Sequence, residues 1–356
     1  MTTKFRDDSN RDTRRRFEQW ARNPRCQANV ISAVHNVRMS EVAALEGAKA
    51  TMGQSPFAIM RGQAFEKALF RNDAASMTAA LVRAGVLPDG AQGFADLRLR
   101  LNGGRCHSLD EALKKTADLL REAATDGSRK SPWLVAGATV RIPGGVMLPE
   151  AILVLDALVL RHDHKPTRLI VGEIKTYPDR AGYTDSMELA TARAQAGVYV
   201  HGLDLVLEDL GLTSRFQVAR EGFLVLTRPG FNQPSIRAGE DLRYQAERAK
   251  RGFELLRKAA AMLPAPDDKQ GLASVIAAQT HYCEACVAFC DRADVCRDVA
   301  LKAGSAAVLG DDVARFLGPV TLPRALQLMQ GATPADPVEQ DLARRIGHLE
   351  KLRVLA

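Results

Sequence analysis

Hydrophobic and polar positions follow two textures along the chain. From Cys26 to about Gly85 apolar residues recur at helical spacing, as in FAIMRGQAFEKALF and MTAALVRAGVL, and a further helical piece covers roughly 108–125. TDGSRKSP then reads as a loop from its Gly, Ser and Pro content. Beyond it the texture turns to β. WLVAGATVRI, AILVLDALVLRH and TRLIVGEIKTY are rich in Val, Ile and Leu and are separated by the turn clusters PGG and HDHKP, which predicts a three-stranded meander. SMELATARAQAGVYVHGLDLVLEDL returns to helical periodicity, FQVAREGFLVLT predicts one more strand, and DLRYQAERAKRGFELLRKAAAML predicts a long amphipathic helix. The order helix, three strands, helix, strand predicts an α/β core flanked by helices. The expected organisation is a polar helical lead-in over 1–25, the core over 26–262, a linker and cysteine cluster over 263–300, and a leucine-rich helical tail over 301–356.

Composition narrows the class. With 46% hydrophobic and 26% charged residues among 356, the chain has the make-up of a soluble globular protein rather than a fibrous or disordered one. No apolar run approaches the roughly 20 residues of a membrane span, since even AILVLDALVL carries Asp156. The first residues, MTTKFRDDSNRDTRRRFEQW, lack the apolar region of a secretory signal, so a cytoplasmic protein is expected. The charge of +7, from 49 Lys and Arg against 42 Asp and Glu, admits a polyanionic partner such as nucleic acid without requiring one. Six cysteines are too few for a disulfide scaffold, and four of them crowd into residues 283–296, which points to a metal.

The most informative residues are Asp156, Glu173 and Lys175. Asp156 interrupts an apolar strand, and Glu173 and Lys175 stand two apart in the next, on one face. A hairpin symmetric about the His164/Lys165 junction pairs residues whose numbers sum to 329, and 156 + 173 = 329. The two carboxylates would then face each other with Cβ atoms about 4.5–5.5 Å apart. So close a pair repels unless a divalent cation lies between, and Lys175 would be left to meet an anion bound there. An ordinary cross-strand ion pair on a solvated face is the alternative reading of these residues by themselves.

Strand, Asp, turn, strand, Glu-x-Lys, then a helix with Gln195 and Tyr199 one turn apart, resembles the PD-(D/E)xK nuclease superfamily. It is closest in pattern to the RecB-like branch, whose helix bears a Gln-x3-Tyr motif; here the segments read LDALV, GEIK and QAGVY. The resemblance implies a restriction-endonuclease-like core. It also implies an acidic or His residue on an upstream helix after a Gly, which RGQAFEKAL supplies as Glu66, a departure from the members that use His. The chemistry implied is hydrolysis of DNA, single-stranded or at ends and by an exonuclease mode, with Mg²⁺ or Mn²⁺ held by Asp156, Glu173, the Ile174 carbonyl and Glu66. Lys175 would orient the attacking water and stabilise the transition state, and Gln195 and Tyr199 would position the phosphate backbone or stack on a base. GGVM and NGGR lack the Lys-Ser ending of a nucleotide-binding loop, so any helicase or other motor would be a separate chain.

Cys283, Cys286, Cys290 and Cys296 give C-x2-C-x3-C-x5-C, a spacing suited to zinc or an iron–sulfur cluster. A subset of RecB-like nucleases, including the AddB nuclease domain and the CRISPR-associated adaptation exonucleases, closes the nuclease domain with a [4Fe–4S] cluster. One of its cysteines precedes the first acidic motif and three follow the core. By that resemblance Cys26, Cys286, Cys290 and Cys296 are the expected ligands, with Cys283 the spare. The competing expectations are a local four-cysteine zinc site in an adaptor, and a DNA-binding or assembly module within a larger complex. Repair, CRISPR adaptation and phage defence are the settings the resemblance allows.

Overall fold

The computed structural model describes residues 23, 25–34, 37–48, 56–126, 131–142, 151–229, 234–261, 268–283, 286 and 290–355. The expected lead-in, apart from Asn23 and Arg25, and the linker at 262–267 lie outside the described residues. In chain order, helices α1 (Gln27–Val34), α2 (Met39–Leu45), α3 (Pro56–Leu69) and α4 (Arg71–Arg83) lead to strand β1 (Phe94–Asp96) and helix α5 (Leu109–Asp126). Strands β2 (Leu134–Ala136), β3 (Thr139–Ile142), β4 (Ala151–Val154), β5 (Ala157–Arg161) and β6 (Thr167–Pro178) follow. Next come α6 (Ser186–Asp209), β7 (Phe216–Val218), β8 (Glu221–Thr227), β9 (Pro234–Asp241) and α7 (Arg243–Ala261). The rest is helical: α8 (Asp268–Ala277), α9 (Ala293–Ala303), α10 (Asp311–Leu317), α11 (Leu322–Met329) and α12 (Pro337–Leu355). The protein is mixed α/β. None of its described helices is long and apolar enough to cross a membrane.

Contacts divide the chain into two compact units. One takes in Met52–Lys258; the other joins the described residues before Thr51 to Ala259–Ala356. Residues 26–48 belong with the C-terminal region because Cys26, Ala28, Met39 and Val42 bury their side chains with Val275 of α8.

In the first unit the main sheet runs β1-β2-β5-β6-β8-β9, with β7 also paired to β6. The expected meander is present as the antiparallel neighbours β2, β5 and β6, but its first two segments are each broken. WLVAGATVRI breaks after β2 at Gly137, whose φ of +71° suits glycine, and AILVLDALVLRH breaks at Leu155 and Asp156. The freed halves, β3 and β4, pair into a separate two-stranded ribbon. FQVAREGFLVLT likewise splits into β7 and β8, both parallel to β6. Strands β1 and β9 occupy the two edges, where little alternation is needed: β9 reads PSIRAGED and most of its residues are exposed or half-buried.

The sheet is covered on both faces, which is why β6 is buried from Leu169 through Glu173. On one face Leu69, Met77 and Leu81 of α3 and α4 pack with Val159, Ile170, Phe223 and Val225. On the other, Leu189 and Ala192 of α6 pack with Leu224 and Leu226. In the second unit a separate core, built from Ala300, Leu317, Leu322, Leu328, Leu342 and Ile346, holds the C-terminal helices.

Candidate functional site

The β5–β6 ladder runs from Arg161↔Arg168 to Ala157↔Gly172, and every pair sums to 329 as the hairpin symmetry predicts. Asp156 and Glu173 would be the next pair, but the ladder ends before them. Asp156 sits in the bend between β4 and β5, and its Oδ2 accepts a hydrogen bond from the Ile174 amide at 2.9 Å. Past the last pair, the side chain of Asp156 thus takes up a backbone donor of β6. Glu173 pairs in parallel with Leu224 of β8.

Alternation along β6 places Glu173 and Lys175 on one face, away from Ile174, which packs against the α3–α4 side. That face meets α6. Glu173 is 0% exposed, and the Lys175 ammonium lies 2.6 Å from its Oε1. Lys175 Nζ also donates to Gln195 Oε1 at 2.9 Å, and Gln195 Nε2 donates to the Tyr199 hydroxyl at 2.9 Å. An ammonium can only donate, so the amide oxygen of Gln195 must face Lys175 and its NH₂ must face Tyr199. The four side chains Glu173, Lys175, Gln195 and Tyr199 form one continuous polar line. Gln195 and Tyr199 are themselves buried, and the helical spacing of four residues points both at the sheet.

Glu66, on α3, lies close enough to Asp156 for the two charges to interact. Burial pushes its carboxyl up from the ordinary carboxylate range, the nearby charge of Asp156 pushes the same way, and the Arg98 guanidinium opposes both. Arg98 Nη1 lies 3.4 Å from Glu66 Oε1, and the rest of the guanidinium is bound to Asp96. Each carboxylate has its own partner: the Ile174 amide for Asp156, Lys175 for Glu173 and Arg98 for Glu66. Among the described residues no group of three or more His, Cys, Asp or Glu is arranged as a ready metal cage. Carboxylate oxygens of this charge are the ligands that suit Mg²⁺ or Mn²⁺.

A second constellation lies within the second unit. Cys26, Cys286, Cys290 and Cys296 line one pocket, together with His281 and Arg292. Cys283 is not among the residues lining it, but its Sγ lies 3.7 Å from Cys286 Sγ. The Asn23 side chain donates to Cys286 Sγ at 3.2 Å. Burial pushes the Cys286 thiol up to about 11 and the Cys290 thiol up to about 12. Metal uptake by these groups would therefore have to release protons. Arg292 is buried beside the pocket, donates to both Glu46 oxygens at 2.6 and 2.5 Å, and reaches the carbonyls of Val275 and Ile276.

The structure therefore brings together Glu66, Asp156, Glu173, Ile174, Lys175, Gln195 and Tyr199 in one unit, and Cys26, Cys286, Cys290 and Cys296 in the other. Sequence reasoning missed Asp96 and Arg98 beside the first site and Asn23, Glu46 and Arg292 beside the second. FADLRLR carries no turn or spacing signal that would single out a functional pair. The Glu46–Arg292 ion pair joins residues far apart in sequence and has no local signature. Comparison with known proteins adds nothing to this geometry: no family model matches the chain, and neither does any curated protein or solved structure.

Proposed function

We propose that the chain is a metal-dependent DNA nuclease with a restriction-endonuclease-like core of the RecB-like kind, acting on single-stranded DNA or DNA ends. The observation that carries this reading is the line Glu173–Lys175–Gln195–Tyr199, with Asp156 bound to the amide of Ile174, the residue between Glu173 and Lys175. Asp156, Glu173, Glu66 and the Ile174 carbonyl would hold Mg²⁺ or Mn²⁺. Such an ion, when bound, neutralises the non-bridging phosphate oxygens and lowers the pKa of an attacking water.

The chain's own residues do the rest. Lys175 is held between the Glu173 carboxylate and the Gln195 amide, so its ammonium is fixed rather than free to sweep solvent. A fixed cation beside the scissile phosphate stabilises the charge that grows in the transition state without reorganising. Gln195 and Tyr199 fix Lys175 in turn. Glu173, fully buried, would offer its carboxylate to the cation while its Oε1 stays 2.6 Å from the Lys175 ammonium, so the same side chain positions both charges.

The test is digestion of end-labelled single- and double-stranded DNA with and without Mn²⁺, with Asp156→Ala beside the wild type. Cleavage by the wild type that needs the metal and is lost in Asp156→Ala is the expected result. Equal cleavage by both proteins, or none by either, overturns the assignment.

The pocket in the second unit supports a [4Fe–4S] cluster held by Cys26, Cys286, Cys290 and Cys296, because these four thiols line the same cavity. One observation favours a zinc site instead. The 3.7 Å between Cys283 and Cys286 sulfurs is close to the roughly 3.8 Å expected of two thiolates on a tetrahedral zinc with Zn–S of about 2.3 Å. Iron, sulfide and zinc analysis of anaerobically purified protein separates the two.

A further inference from the structure

We propose that Arg98 is a positioning residue that holds Glu66 toward Asp156; the proposal rests on reading that acidic site as a metal centre. The seat of Arg98 is built from several independent pieces. Its backbone is squeezed between two glycines: a Cβ on Gly104 would come within 2.2 Å of the Arg98 carbonyl oxygen, and one on Gly137 within 2.6 Å of the Arg98 amide nitrogen. No other residue type fits at either place without moving the arginine. The adjacent amides complete the grip, Leu97 donating to Ala136 at 2.8 Å and Cys106 donating to the Arg98 carbonyl at 2.9 Å.

The side chain is fixed as firmly. It is 7% exposed, Nε and Nη2 donate to the two Asp96 oxygens at 2.9 and 2.8 Å, and the guanidinium lies 4.4 Å from the centre of the Phe70 ring. A forked carboxylate pair and a stacked ring together leave a planar guanidinium no rotational freedom. The remaining Nη1 donates to Glu66 Oε1 at 3.4 Å and to the Asn102 carbonyl at 3.5 Å, so the backbone holds it in place beside the carboxylate.

The charges decide what this arrangement is for. Asp96 and Arg98 cancel, so the pair adds no net charge to the acidic site. Glu66, by contrast, is only partly covered, at 34% exposure, and faces the like charge of Asp156. Repulsion would turn its side chain out to solvent. The Arg98 contact engages Oε1 and opposes that swing. A carboxylate placed in advance is a better cation ligand than one that must be drawn in, and residues that orient ligands in this way are worth about 10–100-fold in metal affinity.

The experiment is Mn²⁺ titration by calorimetry of the full chain, with no DNA present. Arg98→Met is expected to weaken Mn²⁺ binding by about tenfold, within the range for groups that orient ligands. Because Arg98→Met leaves Asp96 buried without its partner, Asp96→Asn/Arg98→Met is measured as well; it removes both charges and is expected to show the same loss. Glu66→Gln/Arg98→Met should bind no more weakly than Glu66→Gln alone, since Arg98 acts only through Glu66. A purely structural arginine would lower the melting temperature and leave the affinity unchanged. Wild-type affinity in the two arginine variants, or additive losses in the double variant with Glu66→Gln, overturns the proposal. If Asp156→Ala binds Mn²⁺ as the wild type does, the metal-centre reading itself falls, and the proposal with it.

Discussion

Acid should destabilise this protein through one histidine, and the size of the effect follows from its surroundings. His201 lies on α6 two residues beyond Tyr199, is 5% exposed, and has its ring against Phe253 of α7 with centroids 5.7 Å apart. Its Nε2 finds no hydrogen-bond partner among the described residues. Burial, and then the positive charges of Arg257 and Lys250, push its pKa from 6.5 down to about 4; Arg220 adds to the shift and Glu254 opposes it. The unfolded chain therefore binds the proton more readily than the folded one. Stability from this group is complete above pH 6.5 and is lost as the pH falls toward 4. The fall from 6.5 to about 4, at about 1.4 kcal/mol per pH unit, comes to about 3.5 kcal/mol, a large share of the roughly 5–15 kcal/mol typical of a domain. Urea denaturation of the wild type, His201→Phe and His201→Gln from pH 7.5 to 4.5 measures it. Both variants should lose the part of the acid slope that lies between pH 6.5 and 4.5. Parallel pH profiles for all three proteins would refute the reasoning. The effect bears on function because α6 also carries Gln195 and Tyr199.

Lys175→Met should abolish cleavage and also cost about 3–5 kcal/mol, because it leaves the fully buried Glu173 carboxylate without its ammonium; Glu173→Gln/Lys175→Met should recover the stability but not the cleavage, as denaturation and digestion together will show. Tyr199→Phe removes the hydroxyl that accepts from Gln195 and should cost about 0.5–1.5 kcal/mol with a reduced cleavage rate; an unchanged rate would remove Tyr199 from the site. Cys26→Ser should lose bound metal, measured by elemental analysis. Its melting temperature should fall only in part, because the Glu46–Arg292 ion pair ties the same two chain segments without metal. EDTA should stop cleavage reversibly and leave the melting temperature within a degree or two, since Mg²⁺ is bound through a few carboxylates and retained waters.

The hairpin register was legible in the sequence because it depends on short-range facts: two apolar runs, one turn between them, and the two-residue alternation that puts Glu173 and Lys175 on one face. The spacing of Gln195 and Tyr199 was legible for the same reason, since four residues along a helix return to the same side. The grouping of Cys26 with Cys286, Cys290 and Cys296 could be anticipated only through a family resemblance, and their shared pocket is a property of the folded chain. Tertiary structure alone decided that Asp156 binds the Ile174 amide instead of facing Glu173 in the ladder, and that Lys175 spans Glu173 and Gln195. It alone brought Arg98 to Glu66 and Arg292 to Glu46. Periodicity and turns record what neighbouring residues do to one another. A contact between distant residues depends on how whole elements pack, and a lone arginine or asparagine leaves no periodic trace of the partner it will meet.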